Sequence, residues 1–266
     1  MAHDQHVQWI LNDIAQAARV GFAPAQSLWR ILRYVAKWRS SVLAQVILRN
    51  SGTRIQSGPF AGMDYLEGQT EGALAPRLLG SYERELHPYI ARFAAAEPAA
   101  VVDIGCAEGY YAVGLARLMP KTIVHAFDIN PSAREYCASL AAKNGVSDRV
   151  RIGELFEGQH FADFARGTLV IVDIEGAEVD LLDPVRFPGL LNLDLIVETH
   201  PGARPGATEI IQSRFAASHD IVRVNHAVDA APLPDWLVNG DHLDMILATW
   251  EWRAHATPWL VMTPKN

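Results

Sequence analysis

From Ala99 onward, short apolar runs alternate with stretches of helical spacing. The runs fall at 99–104, 122–127, 149–153, 168–174, 193–199 and 219–224; helical spacing fills 109–119, 131–143, 159–165, 177–182 and 206–217. Strands joined by helices run parallel, because a helical crossover returns the chain to the same end of the sheet. Helices then cover both faces, so the strands are apolar throughout. Asp241 to Arg253 again has helical spacing. Trp259-Leu260-Val261-Met262 follows as a last strand without a helical crossover of adequate length, which makes it antiparallel to its neighbours. The pattern predicts an α/β fold with a seven-stranded sheet.

The first of these units is the most informative. Val101-Val102-Asp103-Ile104-Gly105-Cys106-Ala107-Glu108-Gly109-Tyr110-Tyr111 reads as a buried strand, a turn of small residues and a helix start. Gly105, Ala107 and Gly109 leave little bulk at alternate positions, so backbone can approach a ligand. A ligand there would lie over the free N–H groups of the helix N-terminus. Asp128 follows nineteen residues after Gly109, at the end of the next apolar run. An acid at that point suits the two hydroxyls of a ribose. A dinucleotide site needs G-x-G-x-x-G for its pyrophosphate, and this chain has Asp-x-Gly-x-Ala-x-Gly instead. The spacing disfavours a nicotinamide oxidoreductase.

At 266 residues, half of them hydrophobic, the chain suffices for one α/β core with an added segment. A net charge of −7 argues against a general nucleic-acid binder. Two cysteines, Cys106 and Cys137, make no disulfide framework and fit a reducing, cytoplasmic setting. Neither a signal peptide nor a spanning apolar run is evident. Residues 1–97 form an N-terminal segment distinct from a core at 98–266, with Glu97-Pro98 at the boundary. Trp9, Ile10, Ile14, Ala17 and Ala18 make one apolar stripe, Gly21-Phe22-Ala23-Pro24 breaks it, and Leu28 to Ile47 continue with a second. The other face of the second stretch carries Arg30, Arg33, Lys37, Arg39 and Arg49, and no acid lies between Asp13 and Asp64. Such a face is either solvated, on a cap or homodimer helix, or contacts an acidic partner or anionic surface. Thr53–Gln56 and Met63–Leu66 are candidates for a small hairpin. Leu74–Gly80 and Tyr82–Ala96 read as short helices, the second disturbed by Pro88. A helical cap over the strand ends is expected, with Tyr82 and Glu83 near the crevice.

Acids end four strands: Asp103, Asp128, Glu154 and Asp173. The carboxyl ends of the strands form the ligand crevice of an open α/β sheet. Asp103 is placed either to orient the glycine loop or to approach the amino group of a bound amino-acid moiety, and Glu154 with Leu155 follows the third strand. The glycine loop resembles motif I of class I S-adenosylmethionine (SAM) methyltransferases. Asp173-Ile174-Glu175-Gly176-Ala177-Glu178 resembles the Asp-Val-Glu-Gly-Ala-Glu signature of the FkbM-type methyltransferases, and Gly109-Tyr110-Tyr111 is similar to the end of that family's loop. Gly58–Met63 and Leu78–Glu83 also resemble upstream extensions of some bacterial relatives. The resemblance covers roughly residues 55–215. It implies a Rossmann-like class I methyltransferase core of strand order 3-2-1-4-5-7-6 and methyl transfer to a hydroxyl of a small molecule, sugar or glycan. It also implies SAM contacts by Asp103, Gly105, Cys106, Ala107, Gly109, Tyr110, Asp128, Ile129, Glu154, Leu155 and Asp173. Ala107 and Glu108 are departures, at positions where many members have other small or polar residues.

An aliphatic hydroxyl needs a base or a metal to become a nucleophile. Glu198 and His200, two apart on the fifth strand, point the same way, and Asp173 ends the neighbouring strand. Asp173, Glu198 and His200 are therefore the catalytic candidates. They either hold Mg²⁺ or Mn²⁺, or act without metal with His200 as base. In a third possibility Glu198 and His200 only bond to loop backbone. A non-catalytic SAM-fold binding subunit would need no such cluster. His219, His226, His242 and His255 have no convergent acids at any defensible spacing, and His3 and His6 are terminal. No Asn/Asp-Pro-Pro-Tyr/Phe motif of amino-group methylation is present.

Overall fold

The computed structural model describes residues 2–19, 24–67, 72–227 and 233–265. The expected break at Gly21-Phe22-Ala23 lies outside them, as do the side chains of His3, His6 and Trp9. α1 spans Ala2–Arg19 and α2 spans Pro24–Ser51. Proline at a first helical position loses no bond, since that N–H has no helical partner. The link after α2 folds back on itself through an antiparallel bridge between Arg54 and Asp64, with Ile55 N–H donating to Met63 O at 2.9 Å. α3 (Leu74–Leu79) follows and ends at left-handed Gly80. Pro88 does not disturb the next helix. A 3-10 turn at Arg84–Leu86 leads into α4 (His87–Ala96), and Pro88 sits in its first turn.

The core has β1 (Val101–Ile104), α5 (Tyr110–Leu118), β2 (Val124–Phe127), α6 (Pro131–Lys143), β3 (Val150–Gly153) and β4 (Leu169–Val172). It continues with α7 (Glu178–Leu181), β5 (Asp194–Glu198), α8 (Ala207–Phe215) and β6 (His219–Val224). α9 (Asp235–Val238), α10 (His242–Thr249) and β7 (Trp259–Pro264) complete it. The sheet order is β3-β2-β1-β4-β5-β7-β6, and β7 runs antiparallel to β5 and β6. This is the order and direction of a Rossmann-like methyltransferase sheet. Side chains alternate across it: Val101, Leu169, Ile171, Ile196 and Val261 pack on one face, while Val102, Ile104, Val170, Val172, Leu195 and Val197 pack on the other.

Two expected elements differ, and one element was not expected. The helix expected at 159–165 is a 3-10 stretch at Gly158–Asp163. It lies against a second 3-10 stretch, Pro188–Asn192, and a Cβ on Gly189 would come within 2.7 Å of the Phe161 backbone. Only glycine allows that approach. The helix expected to reach Arg253 stops at Thr249, because residues 250–257 are drawn across the strand ends by Arg33 and Arg253. α9 had no counterpart in the apolar pattern, being a single turn.

The basic face of α2 is not uniformly solvated. Arg39 makes two hydrogen bonds to Asp244 of α10, at 2.7 and 2.6 Å. Arg33 donates to the carbonyls of Trp252 and Arg253 at 2.9 and 3.0 Å. Toward the end of α2 Leu43, Ala44 and Ile47 are buried, whereas Leu28, Trp29 and Leu32 near its start are exposed.

Gly105 is the tightest joint in the sheet. Its φ is +83°, and an added Cβ would lie 1.7 Å from the Asp173 carbonyl oxygen. The backbone approach expected toward a ligand is therefore first an approach to β4. Gly105→Ala combines a left-handed alanine with a backbone clash, and we expect a loss of stability of about 2–4 kcal/mol in urea unfolding.

Candidate functional site

A cavity of about 1290 Å³ opens over the carboxyl ends of β1, β2, β4 and β5. Of the residues the sequence singles out, Gly105, Ala107, Asp128, Ile129, Glu154, Leu155, Asp173, Glu198 and His200 line it. Asp103, Cys106, Gly109 and Tyr110 do not. Asp103 is buried behind the loop, where burial pushes its carboxyl up to about 7 against a backbone hydrogen bond from Ala112. It supports the start of α5 rather than facing the cavity. Cys106 is buried, and a Cβ on Gly109 would lie 2.7 Å from Cys137 Sγ. Tyr110 is enclosed by the rings of Phe60, Tyr65, Tyr82 and Tyr111, each edge-on at 5.1–5.9 Å.

Asp128 is held from two sides. Ala107 N–H donates to Oδ2 at 2.9 Å and Asn130 N–H to Oδ1 at 2.8 Å. Each carboxylate oxygen keeps a second acceptor direction. The acid thus ties the β1 loop to the end of β2 and still faces the cavity. Beside it Ile129 and Leu155 are 72% and 58% exposed, and both line the cavity with Phe156. Two exposed apolar side chains at the ends of β2 and β3 leave a slot suited to a flat ring.

At the ends of β4 and β5 the acids gather around one histidine. His200 Nδ1 lies 2.7 Å from Oε1 of fully buried Glu178. Glu178 Oε1 also accepts from the N–H groups of Gly176 at 3.0 Å and Ile174 at 3.3 Å. A carboxylate only accepts, so Nδ1 carries hydrogen. Nε2 then faces Asp173 Oδ1 at 3.5 Å and Glu175 Oε2 at 3.4 Å. Glu175 has φ +53°, a left-handed conformation for a residue other than glycine. Burial lowers the pKa of His200, but the bond to Glu178 and the charges of Glu198, Glu178 and Glu175 outweigh it and raise the pKa above 6.5. Asp173 is raised well above its usual range by burial and by Glu198, Glu83 and Glu175.

Glu198 points toward His200, at 3.9 Å, but its strong partner is Arg253. Arg253 also holds Glu83 at 2.8 Å and Glu251 at 2.8 Å. Three nearly buried carboxylates share this one guanidinium, and burial pushes Glu83 up to about 8, Arg253 opposing. Tyr111 donates a short hydrogen bond to Glu83. Among the described residues, the group with cation-ligand geometry is Asp173, Glu175 and His200, with ligand atoms all within 4.8 Å of one another. This group shares Asp173 and His200 with the expected set of Asp173, Glu198 and His200; Glu198 is paired with Arg253. His226, for which no acid partner was expected, lies 3.1 Å from Glu85, an acid 141 residues away in sequence.

The residues not anticipated in these roles are Glu178, Arg253 and Glu251. Glu178 lies in the Asp-Ile-Glu-Gly-Ala-Glu stretch, and its place four residues after Ile174 marks it as a helix-start acid able to turn back on the strand end. Arg253 and Glu251 carry no local signal.

No family model matches the chain, and no curated protein matches it in sequence. Solved structures resemble it in shape. The O-methyltransferase TomG from Streptomyces achromogenes, in complex with SAM, is 14% identical over 68% of this chain and 81% of its own, with a TM-score of 0.46. Cofactor-bound Rv0187 from MTB is 12% identical over 95% of each chain, TM-score 0.47. Precorrin-6y C5,15-methyltransferase from Geobacter metallireducens GS-15 is 13% identical over 68% of this chain and 88% of its own, TM-score 0.42.

The Glu178–His200 pair sets a pH dependence. The raised His200 pKa adds stability that is complete below 6.5 and lost as pH rises through the folded value; the lowered Glu178 pKa adds stability present above 4.5 and lost as pH falls. The pair therefore stabilises most between pH 4.5 and 6.5. Glu178→Gln should lower the His200 pKa in imidazole ¹⁵N NMR titrations with chelator present. It should also destabilise the protein more at pH 5.5 than at pH 8 in urea unfolding.

Proposed function

We propose that this protein is a SAM-dependent O-methyltransferase, of the FkbM type that its motifs resemble, acting on a hydroxyl of a small molecule or glycan. The observation that carries the reading is one cavity with two unlike ends. At one end Asp128 offers a carboxylate beside the apolar slot of Ile129 and Leu155, which suits a ribose and an adenine. At the other, His200 and its carboxylates suit a hydroxyl that must lose a proton. The volume exceeds the roughly 300–1,000 Å³ of ordinary ligand pockets and leaves room for an acceptor beside the cofactor.

The bound cofactor supplies an electrophilic methyl group. The chain's own work is positioning and proton removal. Asp128 fixes the cofactor's ribose, and Gly105 keeps the loop flush with β4. Glu178 holds His200 in the tautomer that presents Nε2. Neutral Nε2 accepts the acceptor's proton, and Asp173 and Glu175 stabilise the resulting imidazolium. Arg253 keeps Glu198, Glu83 and Glu251 from crowding the reacting oxygen with unpaired charge. Residues 1–97 serve as the cap, with Tyr82 in the cavity wall and Glu83 in the Arg253 cluster.

A second reading has its own support. A metal-bound histidine commonly passes its other ring N–H to a carboxylate, and His200 does so with Glu178. Asp173, Glu175 and His200 would then hold a hard divalent ion such as Mg²⁺ or Mn²⁺, which would act as a Lewis acid on the acceptor hydroxyl.

Asp128→Ala should weaken S-adenosylhomocysteine binding by about 1.5–3 kcal/mol in calorimetry; unchanged affinity would remove Asp128 from the site. His200→Ala should keep that binding and lower methyl transfer to a panel of sugars and phenols by about 10²–10⁴-fold. Indifference to chelator selects the base. Loss with rescue by Mg²⁺ or Mn²⁺ selects the ion.

A further inference from the structure

One cation of α2, Lys37, stands at the cavity without an acid of its own. α2 carries no acidic residue along its 28 positions. Lys37 lines the cavity, and Arg33 precedes it by one turn on the same face. Among the described residues, neither has a carboxylate within ion-pair distance, in contrast to Arg39 with Asp244 and Arg253 with its three acids. Arg33 donates to two backbone carbonyls. The Lys37 ammonium lies over the ring of Trp252, 5.2 Å from its centroid, and no described residue offers it an oxygen.

The platform beneath Lys37 is held in place. Trp252 has φ +67°, which a bulky residue adopts only when its surroundings impose it. Arg33 grips its carbonyl, and its neighbours Glu251 and Arg253 are joined by an ion pair at 2.8 Å. The acids grouped around Arg253 and His200 are committed to those two residues. Glu83, Glu198 and Glu251 surround Arg253, and Asp173, Glu175 and Glu178 surround His200. Lys37 is thus a half-buried donor with positive charge and no acceptor. Burial, and secondarily Arg33, lower its pKa, which is the cost of withdrawing that charge from water unpaired. An anion beside it would remove the cost.

We propose that Lys37 binds an oxyanion, a phosphoryl or carboxylate group, carried by the methyl acceptor at a distance from the hydroxyl that faces His200. The proposal rests on the methyl-transfer reading and adds the acceptor's charge to it. A neutral glycan or phenol would leave Lys37 as it stands; an acidic or phosphorylated acceptor would be oriented by it, with the ammonium fixing one end and the base the other.

The test uses the full chain saturated with S-adenosylhomocysteine, titrated calorimetrically with inorganic phosphate and with acetate. Vesicles of phosphatidylcholine with and without phosphatidic acid form a separate arm. The wild type should bind at least one of the two free anions saturably, and more weakly as salt rises. Lys37→Gln should weaken that binding by about tenfold or more, and Lys37→Arg should retain it. S-adenosylhomocysteine affinity should be equal in all three proteins. Added Lys37-dependent binding to phosphatidic acid vesicles places the group on a lipid; its absence places it on a soluble acceptor. No saturable anion binding, or equal anion binding by wild type and Lys37→Gln, overturns the proposal. A wild type that does not bind S-adenosylhomocysteine fails at the earlier step and removes the methyl-transfer reading itself.

Discussion

The site depends on one guanidinium. Arg253 reaches Glu83 before the core, Glu198 at the end of β5 and Glu251 two residues away, all nearly buried. Three carboxylates against one cation is an unbalanced set, and burial makes the imbalance costly. The protein reduces the cost by raising the pKa of Glu83 and by adding donors: Tyr111 to Glu83, and the Glu83 N–H to Glu251 at 2.8 Å. Residues 80 to 90, the end of β5 and the segment before β7 therefore meet at one point. This also accounts for the early end of α10, since a helix continued through Arg253 would not let residues 250–257 run across the strand ends.

A second organising group is Glu178. It is fully buried, yet it accepts from two backbone N–H groups and the His200 ring. These bonds fix the turn after β4 and the tautomer of the histidine after β5 together. The left-handed Glu175 lies inside that turn, its carboxylate on the far side of His200 from Glu178. Backbone strain, an oriented imidazole and a raised carboxyl at Asp173 thus occupy a few residues, the concentration of strain and perturbed acidity common at reactive sites.

Much of the fold is legible in the sequence because its strands are apolar and regularly spaced. Six parallel runs and a final strand without a crossover suffice to assign direction. Short elements are less legible: α9 has one turn, and the 3-10 stretch at Gly158–Asp163 carries too few residues for helical periodicity to declare itself. Of the candidate site, Asp128, Asp173 and His200 could be located because each ends a strand, and strand ends converge in any open parallel sheet. Lys37 and Arg253 could not. They lie on a helix and a loop whose positions follow from tertiary packing, and Arg253 meets Glu83 across 170 residues of chain. The glycines answer to packing as well, and Gly105 also lines the cavity. Gly105 and Gly109 invite a ligand-based explanation, while their immediate neighbours are the Asp173 carbonyl and the Cys137 side chain.

That contact between Gly105 and Asp173 has a mechanical meaning. With no side chain between them, the loop after β1 and the end of β4 have no slack in which to slide past each other. Asp128, bonded to the Ala107 N–H in that loop, belongs to the same stiff assembly. A displacement of the loop by whatever occupies the Asp128 side would be handed on, backbone to backbone, to Asp173 and so to the acids facing His200. The two ends of the cavity are in this sense one lever, with its fulcrum where a hydrogen atom replaces a methyl group.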